Sequence, residues 1–399
     1  MPVHLASEPV TQSHPASEIC QSAGLTALYE GGPISLTVLL TDTVMSGRGL
    51  DQILPHPADP RLFEPVVQDA RAYVDLAERA NDPIPRPCDY AYPWGDALAL
   101  CHAPVVDLRL VNLETAITAD GRPWPKGINY RMHPANIELL RATRIDGCAL
   151  TGNHVLNWGE HGRRDTCATL DRAGIRFSGA GRDRAEAQAP ARFVIGAKGS
   201  VLLFAFGHPS SGIPSDWAAG RNHPGVNLLD DLSERTVDDL AARLAAARQP
   251  GDIAVASIHW GPNWGYAVSR EERGFAQNLI ARAGFDLVHG HSSHHAKGIE
   301  LFEDGAILYG CGDFLNDYEG IEGYERFRDD RAIAWLATFN TSAPRLVHLE
   351  LVPFRRRRMR LERAPEDDVA WLAAMLDRES RPFGTRVEPP EGGRLRVRR

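Results

Sequence analysis

The feature that most constrains the fold of this chain is a series of apolar, β-branched runs that each end in a polar cluster. The clusters lie in the segments LLTDTVMSGRG, VVDLRLVNLET, CALTGNHVLNWG, VASIHWGPNWGY and LVHGHSSHHAKG. Each run is typical of a β-strand, and α/β proteins assemble their functional sites where strands end. The clusters supply carboxylate, carboxamide and imidazole groups, which a metal centre with acid–base groups requires. The pattern therefore predicts one site that is built from the ends of several strands.

The order of the predicted elements indicates the fold class. Strands and helices alternate over residues 105–178 and 233–289, and hairpins are predicted at 191–207, 298–310 and 332–352. Alternating β-α units combined with hairpins predict an α/β protein with two mixed sheets that are flanked by helices. We therefore expect a four-layer α/β/β/α sandwich.

The chain is expected to comprise three parts. Residues 1–33 are polar and contain Pro and Ser without clear periodicity, which predicts a flexible N-terminal arm. Residues 34–354 form the catalytic domain, and residues 355–399 form a C-terminal helix and a basic tail. Residues 51–104, which are rich in proline and aromatic residues, form a long insertion of the kind that often walls a binding site.

Charge and composition exclude several classes of protein. The formal net charge of −8 disfavours a nucleic-acid partner, because phosphate contacts need a basic surface. No stretch approaches the ~20 apolar residues that span a bilayer, and the N-terminal residues show no secretory signal pattern. We therefore expect a cytoplasmic protein without a membrane partner, whose oligomeric state the sequence leaves open. Six cysteines without a C-x-x-C motif indicate neither a disulfide framework nor a zinc ribbon.

Taken in order, the clusters resemble the motifs of the calcineurin-like metallophosphoesterases, and more closely those of the CapA (poly-γ-glutamate capsule synthesis) branch. The matching segments are VNLET, NH-x-x-x-x-G, GAGRDRAEAQAP, IHWG, GH-x-x-H and ILYGCGDFLND, within about residues 36–354. The resemblance implies the calcineurin-like metallophosphatase fold, a divalent metal ion and no organic cofactor. It places His154 where the family keeps a general acid or base. It places metal-site positions at Asp42, Glu114, Asn153, His259, His291 and His294.

Three departures from the family pattern bear on the chemistry. Asp42 lies one position earlier than the aspartate of the family's G-D-V-M-x-G-R motif. Asn157 stands three residues beyond His154, where relatives have a carboxylate. The bridging aspartate of the phosphoesterases has no counterpart except Glu114. With so few carboxylates, one hard ion, Ca²⁺ or Mg²⁺, is favoured over a two-metal hydrolytic centre, with Mn²⁺ as the alternative.

Several imidazoles around one Lewis acid suit proton transfer at a carbon next to a carbonyl. We expect two-base chemistry in which His154 and His295 are the bases, with Asp42 and Asp313 as the carboxylates that orient them. One branch of CapA-like proteins, associated with lasso-peptide gene clusters, resembles this design. Its members invert the Cα of the C-terminal residue of a ribosomal precursor peptide. The resemblance therefore implies a metal-dependent peptide epimerase with a precursor peptide as its partner.

Arg131, Trp264 and Tyr266 are the expected substrate-binding residues. Lys126 and Arg131 are two cations that could bind a carboxylate, and aromatic rings could line a groove for a peptide with a bulky end.

Two questions remain open in the sequence. His294 and His295 are adjacent, so at most one of them points inward if they lie on a strand. The function also has two alternatives. One is a CapA-like hydrolase or ligase-associated enzyme that acts on phosphoester or poly-γ-glutamyl bonds, and the other is a binding module that keeps the fold without the chemistry.

Overall fold

A computed structural model of the chain describes residues 35–388 and 392–399, so the predicted N-terminal arm lies outside the described residues. The helices are α1 (Arg48–Gln52), α2 (Arg71–Ala80), α3 (Ala97–Cys101), α4 (Glu138–Ala142), α5 (Gly159–Ala173), α6 (Arg184–Gln188), α7 (Glu234–Ala247), α8 (Arg270–Ala281) and α9 (Glu366–Ser380). The strands are β1 (Ser35–Val44), β2 (Leu108–Leu113), β3 (Ala116–Ile117), β4 (Arg131–Met132), β5 (Gly147–Ala149), β6 (Arg176–Ser178), β7 (Ala180–Gly181), β8 (Ala191–Val194), β9 (Ser200–Gly207), β10 (Gly225–Val226), β11 (Ile253–His259), β12 (Leu287–His291), β13 (Ile299–Phe302), β14 (Gly305–Leu308), β15 (Arg331–Asn340), β16 (Arg345–Arg357), β17 (Arg360–Arg363), β18 (Arg386–Glu388) and β19 (Leu395–Arg398).

Most of the strands form two large mixed sheets. Sheet 1 has the order β18-β19-β16-β15-β1-β2-β5-β6, with β17 paired to β16, and sheet 2 has the order β13-β14-β12-β11-β9-β8. In sheet 1 the strands β1, β2, β5 and β6 run parallel, whereas β15 and β16 are antiparallel to their neighbours. In sheet 2 the strands β9, β11, β12 and β14 run parallel, and the hairpin strands β8 and β13 are antiparallel.

The main core lies between the two sheets. Leu36 and Val38 of β1 share one buried cluster with Leu203, Val255 and Leu287 of sheet 2. A second buried cluster joins the other face of sheet 2 to α7 and α8, and α5 packs beside β6 of sheet 1. The structure therefore confirms the predicted α/β/β/α sandwich.

Local sequence explains where the covering helices begin. Ser233 caps α7 by accepting a hydrogen bond from the Thr236 backbone N–H, and the buried face of α7 carries apolar residues. Ser269 and Glu272 form a capping box at the start of α8. Gly174 ends α5 with φ of 75°, in the left-handed region that glycine adopts without strain. These caps fix the loops that lead into and out of the parallel strands.

The C-terminal segment belongs to sheet 1. Strand β16 continues to Arg357, and β17, β18 and β19 extend the sheet beyond it. Within residues 35–388 and 392–399, no helix has the length and apolar character that crossing a membrane would require.

Candidate active site

Asp42 lies at a β-bulge near the end of β1. The pairing of β1 with β2 shifts register between Thr41 and Thr43, so Asp42 is the extra residue, and a bulge re-aims the side chain that it carries. The Asp42 carboxylate is fully buried and accepts hydrogen bonds from Thr43 Oγ1 at 3.2 Å and Asn112 Nδ2 at 3.4 Å. The bulge therefore brings the aspartate to the end of β2, although the motif has it one position early.

Glu114 lies directly beyond β2, beside Asp42. Its Oε2 accepts a hydrogen bond from Asn112 Nδ2 at 2.7 Å. A Cβ atom at residue 152 would lie 2.3 Å from Glu114 Oε2, so any other residue at 152 would displace the carboxylate. Burial raises the pKa of Glu114 to about 7 and holds the pKa of Asp42 well above its ordinary value, and the Asp313 charge adds to both shifts.

His259 and His291 end β11 and β12 as direct neighbours in the sheet register. Their Nδ1 atoms are 2.9 Å apart, and His259 Nδ1 is 3.7 Å from Glu114 Oε2. The Ser257 hydroxyl lies 3.0 Å from His291 Nε2. Burial lowers the pKa of His259 to about 3 and that of His291 well below its ordinary value. Both rings are therefore neutral, which is the form of imidazole that binds a metal ion.

The side chains at this position are of the types that bind a divalent metal ion. Asp42 Oδ2, Asn112 Oδ1 and Glu114 Oε1 are buried and have no hydrogen-bond partner among the described residues. Buried polar atoms without a partner cost free energy that a cation or a water molecule would offset. Within residues 35–388 and 392–399, no three His, Cys, Asp or Glu side chains form a metal-site group by themselves. To hold an ion, the carboxylates and imidazoles would therefore have to draw closer than they lie in this structure, and a carboxamide oxygen of Asn112 or Asn153 could join them.

His294 and Asp313 form an ion pair beside this cluster. His294 Nδ1 lies 3.1 Å from Asp313 Oδ1 and 3.0 Å from Oδ2, and Asn316 Nδ2 donates to Asp313 Oδ2 at 2.7 Å. Burial opposes the charge on His294, but the Asp313 carboxylate prevails and raises the pKa of His294. The pKa of Asp313 is lowered, because the same pairing outweighs its burial. The pairing thus favours the imidazolium form of His294, which can act as an acid.

His154 has the opposite character. Its Nδ1 donates to Asn157 Oδ1 at 2.6 Å, and the same oxygen accepts from the Tyr130 backbone N–H at 2.8 Å, so the carboxamide is oriented as an acceptor. Burial, with the Lys126 charge adding to it, holds the pKa of His154 well below its ordinary value. The ring is therefore neutral with a free Nε2 lone pair, which can act as a base.

One cavity of about 330 Å³ is lined by both His154 and His294, and also by Glu114 and His259. His154 approaches it from the loop after β5 of sheet 1, and His294 approaches it from the loop after β12 of sheet 2. The lining residues are Thr43, Glu114, Lys126, Gly127, Ile128, Tyr130, Asn153, His154, His259, Asn263, Ser292, His294 and Tyr318. A base and an acid thus face one cavity from two different sheets.

Sequence reasoning missed a group of residues that supports the cavity wall. The Tyr130 ring stacks on the His154 ring with centroids 3.9 Å apart, and its hydroxyl lies 2.7 Å from that of Tyr318. The Arg48 guanidinium lies behind them, 5.0 Å from the centroid of the Tyr130 ring, and donates to Asp317 Oδ1 at 2.6 Å. Arg48 has φ of 52°, a strained conformation for a residue other than glycine. The only indication of Arg48 in the sequence was its position in the first polar segment, LLTDTVMSGRG.

The structure places His295, one of the two predicted bases, outside the cavity lining. His295 Nε2 accepts a hydrogen bond from the Gly265 backbone N–H at 3.1 Å, and its ring stacks on Phe327 with centroids 4.4 Å apart. Strand β12 ends at His291, and Ser292 has φ of 103°, so the alternation of a strand does not extend to the residues that follow. His294 therefore lines the cavity in place of His295.

Several other predicted site residues also lie outside the cavity lining. Asp42 bonds to Thr43 and Asn112 and orients neither base, because it is buried at the bulge of β1. Arg131 lies over the Trp158 ring at 4.0 Å and donates to the Asp59 carbonyl oxygen at 3.0 Å, so its charge is directed away.

The predicted aromatic residues form a cluster of their own. Trp264 stacks on Tyr324 with centroids 3.9 Å apart, and the Tyr266 ring packs on His295 with centroids 4.6 Å apart. Trp264 also lies 5.2 Å from the His294 ring, so this cluster supports one side of the cavity without lining it.

Comparison with known proteins places the site within a shared region. The family described as bacterial capsule synthesis protein PGA_cap matches residues 37–318, which include every residue that lines the cavity. A probable polyglutamine synthesis accessory protein of Mycobacterium tuberculosis is 48% identical over 359 residues, covering 90% of this chain and 94% of that protein. The PGA biosynthesis protein CapA of Bacillus subtilis is 23% identical over 210 residues, covering 53% of this chain and 52% of that protein. The capsule biosynthesis protein CapA of Bacillus anthracis is 24% identical over 229 residues, covering 54% and 52%.

Proposed function

Because the chain belongs to the PGA_cap family of bacterial capsule synthesis proteins, the CapA-like branch of the calcineurin-like fold, we propose that it is a metal-dependent enzyme of polyglutamyl chain synthesis. Its substrate would be a γ-linked glutamyl chain, and its reaction the cleavage or transfer of a γ-amide bond. Relatives named for polyglutamine and PGA synthesis support this substrate class. The observation that carries the proposal is that one cavity is lined both by His154, whose pKa is held low by burial, and by His294, whose pKa is raised by Asp313.

The two histidines divide the proton transfers. His154 Nε2 takes a proton from the attacking water or amine, because Asn157 holds the proton of Nδ1 on the other side of the ring. His294 gives a proton to the leaving nitrogen and draws stability as an imidazolium from Asp313. Proton removal and proton delivery would then occur in one cavity.

Residues of the buried cluster at the ends of β1, β2, β11 and β12 would hold the metal ion. Its ligands would come from the carboxylates, the carboxamide and the neutral imidazoles described above, which are Asp42, Glu114, Asn112, His259 and His291. When bound, such an ion polarises a substrate carbonyl as a Lewis acid. A set that combines imidazole nitrogens with oxygens suits Mn²⁺ better than Ca²⁺, whose ligands are oxygens.

The proposal is tested with γ-linked glutamate oligomers of defined length, incubated with the purified protein and Mn²⁺. Mass spectrometry of the products should show shortened or transferred chains. His154→Ala and His294→Ala should each lower the rate by about 10²- to 10⁴-fold, as expected for the loss of a general base or acid. The matched control is His161→Gln, which removes the histidine of an exposed His–Asp pair on α5 and should leave the rate unchanged. Unaltered oligomers with every divalent ion tried would contradict the proposal.

Peptide epimerisation is a second candidate, favoured by the approach of His154 and His294 from different sheets. One residue would remove the Cα proton of the substrate and the other would return a proton to the opposite face. This reaction incorporates one solvent deuterium at an inverted Cα and leaves the chain length unchanged. The same assay in D₂O therefore separates the two functions, because amide cleavage changes chain length without Cα exchange.

A further inference from the structure

Lys126 transfers no proton in the proposed reaction, although its charge helps to keep His154 neutral. It lines the cavity, and its ammonium donates a hydrogen bond to the Asn153 carbonyl oxygen. An ammonium has three N–H donors, and among the described residues no carboxylate forms an ion pair with it within 4.0 Å. The Trp217 ring, with its centroid 5.7 Å away, supports one side of the charge. Donors that remain free at a cavity wall are available to a ligand.

The surroundings of Lys126 keep it charged at neutral pH. Burial lowers its pKa to about 8, and the Glu114 carboxylate opposes that shift. Of the other charged groups at the cavity, His294 is already paired with Asp313. Lys126 is therefore the cation of the described cavity lining that lacks an ion-pair partner, and it can match one negative charge of a ligand.

Arg131 provides a contrast on the same segment. The sequence offers Lys126 and Arg131 as equal candidates for binding a carboxylate, but the Arg131 guanidinium lies over Trp158 and donates to the Asp59 carbonyl oxygen. Lys126, in contrast, lines the cavity.

We propose that Lys126 recognises a free α-carboxylate of the substrate and makes the site selective for glutamyl units over units whose α-carboxylate is an amide. The choice of a glutamyl ligand rests on the proposed function. A single compact cation suits a singly charged carboxylate, and one charge-assisted hydrogen bond contributes enough to discriminate the acid from its amide about tenfold or more. Relatives named for polyglutamine and PGA synthesis make glutamyl compounds the class of ligand to test.

The test is a binding measurement, which is independent of turnover. Isothermal titration in the presence of Mn²⁺ compares the γ-methylamide of N-acetylglutamate with the same compound in which the α-carboxylate is a primary amide, both as L and D forms. Wild-type protein should bind the acid about tenfold or more tightly than the amide. Lys126→Met should bring this ratio close to one by weakening only the acid, whereas Lys126→Arg should keep the preference.

Controls separate recognition from general damage. Lys198→Met removes a lysine that pairs with Asp107 away from the cavity and should leave the ratio unchanged. A merely structural role for Lys126 would weaken both ligands equally and overturn the inference, as would a wild-type protein that binds neither ligand or does not prefer the acid. A Lys126-dependent preference without turnover of glutamate oligomers would support the inference while the proposed reaction failed.

Discussion

His294 Nδ1 lies 3.0 Å from Asp313 Oδ2, in an ion pair whose carboxylate is fully buried. Asp313→Asn keeps the shape of the side chain but removes the charge that raises the pKa of His294. The imidazolium form would then be lost at lower pH. We expect the alkaline limb of the pH–rate profile to move to lower pH, and the rate at neutral pH to fall at least about tenfold. The pH dependence of kcat/KM for wild type and variant checks this.

The His294–Asp313 ion pair makes the folding stability depend on pH. The raised pKa of His294 stabilises the fold below the ordinary histidine value of about 6.5, and this contribution is lost as pH rises through its folded value. The lowered pKa of Asp313 stabilises the fold above about 3.9, and this contribution is lost as pH falls. Asp313→Asn should therefore cost most stability between these limits in urea unfolding. For the activity measurement, a pH–rate profile of Asp313→Asn that matches wild type would show that His294 does not act as the acid.

Tyr130 supports His154 through its ring rather than through its hydroxyl. The two rings stack with centroids 3.9 Å apart, and an aromatic pair contributes about 0.5–1.5 kcal/mol. Tyr130→Leu should lower kcat about two- to tenfold by freeing the imidazole. Tyr130→Phe keeps the stack and loses only the contact with the Tyr318 hydroxyl, so its loss should be smaller. Steady-state kinetics of both variants check the order, and equal losses would place the effect in the hydroxyl pair instead.

Arg48 anchors the wall behind the two tyrosines. Its guanidinium pairs with Asp317 and Glu64, and all three side chains are buried. Arg48→Met leaves two buried carboxylates without their partner and should lower the free energy of unfolding by about 3–5 kcal/mol. Urea denaturation measures this change. Arg48→Met combined with Asp317→Asn should recover part of the loss.

An exposed ion pair serves as the control for Arg48. Arg141 and Glu138 pair at 3.2 Å on the surface of α4, and Arg141→Met should leave the urea midpoint close to that of wild type. If Arg48→Met behaves like Arg141→Met, the buried network does not hold the cavity wall.

The sequence predicts those site residues that lie at the end of a parallel strand or directly after it. Glu114, His259 and His291 lie at or just beyond the ends of β2, β11 and β12, so the apolar runs before them were enough to bring them together. Gly152 was part of a recognisable motif, and its role became clear only from the approach of Glu114.

Other parts of the site depend on backbone conformation and on contacts that are distant in sequence. The positive φ of Ser292 decides that His294, and not His295, faces the cavity, and a period-two pattern does not contain that information. Tyr130 meets Tyr318 across 188 residues of sequence, so no local pattern predicts their contact.

The last prediction concerns the metal ion and uses binding, not turnover, as its measurement. Glu114 has a buried oxygen without a partner among the described residues, next to Asp42 and His259. Glu114→Gln keeps the size of the side chain and removes a charge from the donor set, so it should weaken Mn²⁺ binding at least about tenfold. A ligand at 100 times its dissociation constant stabilises the fold by about 2.7 kcal/mol. Mn²⁺ should therefore raise the unfolding temperature of wild type more than that of the variant.

Elemental mass spectrometry after dialysis gives the stoichiometry, and we expect about one ion per wild-type chain and less in Glu114→Gln. The matched control is Glu300→Gln, which alters a buried glutamate that pairs with Arg273 at 2.8 Å on β13, outside the cavity lining. Glu300→Gln should retain the wild-type metal content, because the Glu300 carboxylate pairs with Arg273 and does not belong to the proposed set of metal ligands. Equal metal content in Glu114→Gln and wild type would exclude Glu114 as a ligand.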